Sequence, residues 1–428
     1  MKTAFRATTA VFATAGLIAL AGCAGSDGGG DADGSDVREL NLPAVEAPWL
    51  SGYQAMVEKY EEETGVTVNL TAFPFDGLLT QEANAAQSGS NAFDLFLINE
   101  QWVGQFYDNG WVQPITDIDS EFAWDEGLIE FDGVGRWNAD ARATSEDGEI
   151  YSLPVNGNIH EFMYRSDLYD QLGLEVPTTW DEVVANGESA VAAGAAENGY
   201  VARGRTPSYD FSAILYSYDG KWFADESAGD YTPTIDTPEF REALEMFKQL
   251  ADIGPAAPQT IAQAEAISLM QSGTTLQSTL VTASAGPLED ASASLIAGQV
   301  GYATLPGGTP VSGVWTMGVP VGLPEDRSAA ALDFIEWLTS QETMQEWADA
   351  GGATTRTDVE AERPELQVLI DSANDIRGGL RYPFTPAMLD VTDPALGLYL
   401  AGELDLEATV EEIQSGLENA VEEAGFAQ

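Results

Sequence analysis

The sequence predicts an α/β fold in two parts, with helices flanking largely parallel sheets, and three features predict it. Segments of strand and helix character alternate over residues 39–98 as β-α-β-α-β, the alternation resumes from Tyr151, and 428 residues are more than one compact core ordinarily holds. A hydrophobic fraction of 44%, with 10 Trp, 14 Tyr and 17 Phe, is enough to fill such cores and argues against disorder.

Taken in order, residues 39–42 have strand character. A helix over 51–64 follows, with Tyr53, Met56, Val57 and Tyr60 at helical spacing and Gly65 to stop it. Residues 66–70 alternate as a strand, 76–87 read as a second helix, and the apolar run 93–98 suits a strand buried on both faces. In sheets of this kind ligands sit beyond the carboxyl ends of the strands. The loops after the first and third strands therefore draw attention: the first holds Glu46 and Trp49, the third Asn99, Glu100, Gln101 and Trp102. In the second region 151–156 is strand-like, and Thr179 with Glu182 has the spacing of a capping box that opens a helix. Helices over 238–251, 329–338 and 408–423 complete the cover.

Charge narrows the function classes. Seventy acidic residues against 17 basic ones give a formal net charge of -53, so a nucleic-acid backbone would be repelled. At the start, Lys2 and Arg6 precede a short apolar run, 11–21, which is too short to span a bilayer comfortably and reads as an export leader. It ends in Leu20-Ala21-Gly22-Cys23, which resembles the bacterial lipobox; that resemblance implies cleavage before Cys23 and lipidation of it. Cys23 is the sole cysteine, which excludes a disulfide framework or a thiolate metal cluster. The Gly/Ser/Asp tract over 24–36 has nothing to bury and reads as a flexible tether.

The order of motifs resembles the extracellular solute-binding proteins of ATP-driven (ABC) sugar importers, the broad group that includes maltose-binding protein. The resemblance rests on Asp94-Leu95-Phe96 leading to Glu100-Gln101-Trp102, on Gly110-Trp111-Val112-Gln113-Pro114-Ile115, on Tyr151-Ser152-Leu153-Pro154, on Tyr164-Arg165-Ser166-Asp167-Leu168, on Val176-Pro177-Thr178-Thr179-Trp180, and on Phe334-Ile335-Glu336-Trp337-Leu338-Thr339-Ser340. Arg203-Gly204-Arg205, Leu288-Glu289-Asp290 and Leu305-Pro306-Gly307-Gly308 look like the subset that handles polyols. Ser312-Gly313-Val314-Trp315 departs from the Gly-Gly-Trp expected there.

What the resemblance implies is a two-lobed, periplasmic-binding-protein-like fold joined by hinge strands. The N-terminal lobe would comprise 37–152 and 306–340, the C-terminal lobe 153–305 and 341–428, with chain crossings near 151–155, 302–306 and 339–343. A sugar or polyol would be captured between the lobes and handed to the membrane subunits of the importer. The protein would act as a monomer tethered to the outer face of the cell membrane, without enzymatic activity and without a cofactor.

A neutral sugar presents hydroxyls around an apolar C–H face, which Asp, Glu and Asn side chains and aromatic planes respectively answer. The expected ligand-binding residues are Glu46, Trp49, Asn99, Glu100, Trp102 and Trp315 from the first lobe. Trp180, Trp337 and Trp347, on helical faces, read instead as packing. From the second lobe come Asn156 and Asn158, which either face the cleft or make a turn, and Arg203, Tyr209, Phe211 and Gln277; an arginine there either grips a hydroxyl pair or neutralises acidic neighbours.

His160 is the sole histidine, which makes a Ser-His-Asp triad improbable and excludes a multi-histidine metal site. Asp117-Ile118-Asp119-Ser120-Glu121 has oxygen ligands for calcium but Phe122 where an EF-hand loop needs glycine, and reads as a solvated acidic loop. Two rivals stay open: a lipid-anchored glycoside hydrolase, which needs two facing carboxylates, and a receptor for a peptide or iron chelate, which needs charged anchors.

Overall fold

The computed structural model describes residues 37–427, and these lie in one compact unit. The leader, Cys23 and the tether over 24–36 lie outside the described residues. No helix among the described residues is long and apolar enough to cross a membrane.

The opening elements form as their local chemistry dictates. The helix Leu50–Thr64 buries Tyr53, Met56, Val57 and Tyr60 and ends at Gly65, whose φ of 73° is the left-handed cap that glycine adopts without strain. The strands Glu39–Val45 and Thr67–Phe73 pair in parallel, and the helix Phe75–Ser88 follows the second directly. The amide of Asp94 donates to the Asn41 carbonyl and brings the next strand, Phe96–Asn99, alongside. In the second region the capping box is present: Thr179 accepts from the Glu182 amide, the Glu182 carboxylate reaches back, and the helix Trp180–Ala192 begins there.

The sheets are more mixed than the alternation implies. The strand Trp315–Gly318, arriving from late in the chain, inserts antiparallel between Phe96–Asn99 and Ser152–Asn156. In the second region Gln277–Val281 and Val300–Ala303 both pair antiparallel with His160–Arg165. A chain returning from another part of the molecule enters a sheet from the opposite direction and needs no crossover helix, so the antiparallel ladder is available to it.

Buried side chains divide the molecule into two halves. One core gathers Val37 through Ile159 and Val314 through Ile376. The other gathers Phe162 through Val311 and Leu380 through Val421, with a smaller cluster around Met163, Met270 and Leu280. Phe162 and Met163 fall in different clusters because neighbours on a strand point to opposite faces, so apolar packing covers both sides of this sheet.

The chain therefore passes between halves at 159–162, 311–314 and 376–380, later each time than 151–155, 302–306 and 339–343. Residues 344–376, expected in the C-terminal lobe, pack in the first core through Met344, Trp347, Leu366 and Leu369. The three passages run side by side as a ribbon: His160 N–H donates to Val311 O at 2.8 Å, Ser312 N–H to Arg377 O at 2.9 Å, and Arg377 N–H to Pro310 O at 2.9 Å.

Candidate functional site

Strand direction brings the first-half candidates to one edge. Val45 pairs with Phe73, and Trp315 stands opposite both Asn99 and Asn156, so the carboxyl ends of four strands and the start of the inserted one share that edge. The segments leaving it carry Glu46, Trp49, Phe75, Glu100 and Trp102.

There the aromatic rings converge. Trp102 and Trp315 meet edge to face with centroids 5.5 Å apart, Trp49 meets Trp315 at 5.8 Å, and Phe75 lies on Trp102 at 4.7 Å and on Trp315 at 5.8 Å. Trp102 and Trp315 are thus brought together, but they pack on each other: they are 3% and 5% exposed, while Phe75 is 40% exposed. Trp347, read from sequence as packing, backs Trp49 at 5.7 Å. Phe75 is the residue that sequence reasoning missed. The signal was available, since Pro74-Phe75 directly follows the second strand of the same sheet and obeys the same carboxyl-end rule.

The polar first-half candidates separate into different duties. Glu46 is exposed, and its carboxylate makes no bond among the described residues. Asn99 caps the helix Glu100–Asp108 by accepting from the Gln101 amide at 3.2 Å. Asn156 accepts from Ala353 N at 3.1 Å, and its buried side-chain amide nitrogen has no partner among the described residues.

Glu100 turns inward, and its position corrects the expectation that it faces a ligand. Its carboxylate accepts from Ser312 Oγ at 2.7 Å and Gly379 N at 2.9 Å, with Arg381 at 3.5 Å. It thereby ties a first-half helix to two of the three crossing segments. A Cβ at position 379 would stand 2.7 Å from the Ser312 carbonyl and 3.1 Å from Glu100, so glycine is what lets the ribbon close on this carboxylate. Burial pushes the Glu100 carboxyl up, against the pull of Arg381, Ser312 and Gly379.

The second-half edge is built from different material. His160 opens its strand within the first crossing, and Val281 lies opposite it. The segment around Val201 runs parallel to Gln277–Val281, which brings Arg203 to the same edge. Asn158 accepts from Ala283 N at 3.1 Å through its side chain and from Gly313 N at 2.8 Å through its carbonyl, and Ala283 packs against the first core. Arg203 is buried in an ion pair with Asp210, with Nη2 2.7 Å from His160 Nε2 and Nη1 donating to Gln263 at 3.0 Å. Of the two readings left open for it, neutralising an acidic neighbour is the one realised. Tyr209, half-buried, lies on the His160 ring.

Two second-half candidates belong to the core. Phe211 is fully buried against Trp222, Phe240 and Phe247, because the helix Ser208–Ser217 turns that position inward. Gln277 begins its strand opposite Tyr164, at the end remote from His160, where it bonds Tyr169 and the Val183 carbonyl.

A separate concavity of about 510 Å³ opens between the segments Ala143–Asp147 and Phe223–Ser227, beside Arg377 and Arg381. None of the expected residues lines it, and its Arg381 and Glu226 are engaged by Asp132 and Tyr382. The strand-end edge is the better candidate, because there the aromatic surface, free carboxylate and unpaired amide come together.

Comparison with known proteins agrees with this architecture. A binding protein of Brucella abortus (strain 2308) is 26% identical over 234 residues, 53% of this chain and 53% of that one, so the chain spans about half the length of this relative. The erythritol/L-threitol-binding protein of Mycolicibacterium smegmatis is 21% identical over 342 residues, 75% of this chain and 70% of that protein. The maltose-bound T. maritima MalE3 structure shares the two-lobed fold with a TM-score of 0.76 at 20% identity, covering 89% of this chain and 99% of that one. Residues 44–345, most of the folded part, match the bacterial extracellular solute-binding proteins, and the chain belongs to that family.

Proposed function

We propose that this protein is the extracytoplasmic receptor of an ABC importer, taking a sugar or polyol between its halves and delivering it to the membrane subunits without making or breaking a bond. The observation that carries the reading is the cluster of Trp49, Phe75, Trp102 and Trp315 at the strand ends, with Glu46 and Asn156 beside it. Aromatic faces cover the C–H surface of a sugar, while a free carboxylate and an unpaired amide suit its hydroxyls. Tyr209 would complete the site from the second half, with Asn158 at the start of the first crossing. Arg203 is already neutralised by Asp210, so this arginine is not free to select an anion, which favours an uncharged ligand. Binding of erythritol or threitol and of maltose by the relatives above supports the same class.

Capture would proceed by rotation of the halves about the three-segment ribbon, with the aromatic cluster parting to admit the ligand. Cleavage before Cys23 and its lipidation would hold the receptor, as a monomer, at the outer face of the membrane.

The test is a thermal-shift and calorimetric panel of erythritol, ribitol, mannitol and maltose, with chromatography of the sugars afterwards. One or more should raise the melting temperature in a concentration-dependent way, about 2.7 kcal/mol of stabilisation at a hundredfold excess over Kd, and be recovered intact. A panel without any shift, or one that yields cleavage products, would overturn the reading. For the tether, C23S expressed in a bacterial host should move the protein from the membrane fraction to the released fraction; retention on the membrane would refute lipid anchoring at this position.

A further inference from the structure

Tyr209 is held from three directions. Its ring packs on His160 with centroids 4.1 Å apart, the Arg203 guanidinium carbon lies 5.7 Å from its centroid, and its hydroxyl donates to the Val311 carbonyl at 3.4 Å. A Cβ at position 313 would overlap that hydroxyl, so Gly313 is the residue that admits it. This accounts for one glycine of the departure Ser312-Gly313-Val314-Trp315: the serine serves Glu100, and the glycine serves Tyr209.

The groups beneath the ring bond one another, while His160 Nδ1 has no partner among the described residues. Asp210 takes Arg203 through two nitrogens, and its Oδ1 stands 3.0 Å from His160 Nε2. Burial works against ionisation of Asp210, yet Arg203 and His160 hold its carboxyl down at about 2, and burial pushes the His160 imidazole down from its ordinary value. The cluster thus consists of a matched Arg–Asp pair and an imidazole, all three buried. Tyr209 alone among the four keeps part of its surface exposed, at the place where crossings 159–162 and 311–314 meet and two residues along the chain from Gly313 to Trp315.

We propose that Tyr209 is the ligand-facing ring of the second half, the counterpart of Trp315, and that His160, Arg203 and Asp210 are positioning residues that hold it without touching the ligand; this rests on the sugar- or polyol-binding reading above. A ring already fixed before capture loses little freedom on binding, and the rigid guanidinium fork is well suited to fixing it.

A double-mutant cycle tests this, using whichever of erythritol, ribitol, mannitol or maltose binds the full-length protein. Tyr209→Ala should weaken binding about 30-fold, as for a central aromatic contact, and Asp210→Asn about 10-fold. In the Tyr209→Ala background, Asp210→Asn should change Kd less than about 2-fold, because the residue through which it acts is gone. Effects that multiply would overturn the proposal. If Asp210→Asn does not fold, the pair Arg203→Met with Asp210→Leu replaces it, since exchanging both charges for apolar groups leaves no orphaned charge.

A second arm needs no ligand. With 3-fluorotyrosine incorporated, the fluorine resonance identified by its loss in Tyr209→Phe should shift or broaden in Asp210→Asn or in the double variant. An unmoved resonance would overturn the positioning role. Failure of every sugar to bind the wild type would overturn the ligand reading, and with it the ligand-facing role of Tyr209, while the resonance still decides whether the cluster positions the ring.

Discussion

The two strand-end edges, one in each half, solve the problem of surface and order in different ways. The first is aromatic: Trp49 and Trp102 each pack edge to face on Trp315, backed by Trp347. The second is a charged, hydrogen-bonded cluster of His160, Arg203 and Asp210 that tolerates little displacement. Aromatic packing gives area with loose geometry, whereas a buried ion pair gives fixed geometry at a cost in desolvation. The contrast assigns contact area to the first half and orientation to the second.

The largest expected effect breaks the second edge. Arg203→Met leaves Asp210 buried without its cation and should cost about 3–5 kcal/mol in urea unfolding, most of it regained when Asp210→Leu is added. If the single and double variants were equally unstable, the edge would owe its order to packing instead. The next effect separates cluster from core. Trp315→Ala should weaken ligand binding by about 2 kcal/mol, or roughly 30-fold in Kd by calorimetry. Phe211→Ala should instead cost about 3–5 kcal/mol of stability and leave the Kd of the folded protein unchanged. Equal effects of the two on Kd would erase the distinction between site and interior.

The smallest effect sharpens the electrostatics of the second half. Glu161 is fully buried, accepts from the Thr282 hydroxyl at 2.6 Å, and has its other oxygen unpaired among the described residues. Burial pushes its carboxyl well above 4.5. The unfolded chain then releases this proton at a lower pH than the folded one, so stability declines as pH rises from about 4.5 through the folded value. Glu161→Gln removes that decline: its melting temperature should gain on the wild type between pH 4 and pH 8, by roughly 2 °C. A difference that stays constant across that range would show that the carboxyl does not titrate there.

What the sequence made legible was local or directional. Gly65 as a helix stop, Thr179 with Glu182 as a capping box, and Trp49 and Trp102 beyond strand ends depend on short stretches of chain, and each is realised. What it concealed required partners from far away. Glu100 has the look of a ligand group until Ser312 and Gly379 arrive from the ribbon, and Gln277 has it until its strand's direction places it at the remote end. Phe211 and Tyr209 differ by two positions on one helix, and only the helix's rotation against Phe240 decides which turns inward. The later crossings were hidden for the same reason, because nothing local in Met344 through Ile376 marks the half it belongs to and only packing reveals its side.

The inserted strand Trp315–Gly318 has a consequence for assembly. It closes the first sheet, but it is made after the larger part of the second half, so a growing chain must hold Phe96–Asn99 and Ser152–Asn156 with open edges until it returns. A fragment ending before Trp315 would leave those edges bare and lack a quarter of the aromatic cluster's four rings, an invitation to aggregate. The halves are therefore not separable building blocks, and this sheet is completed only by a pairing of long sequence separation, a kind of contact that forms slowly.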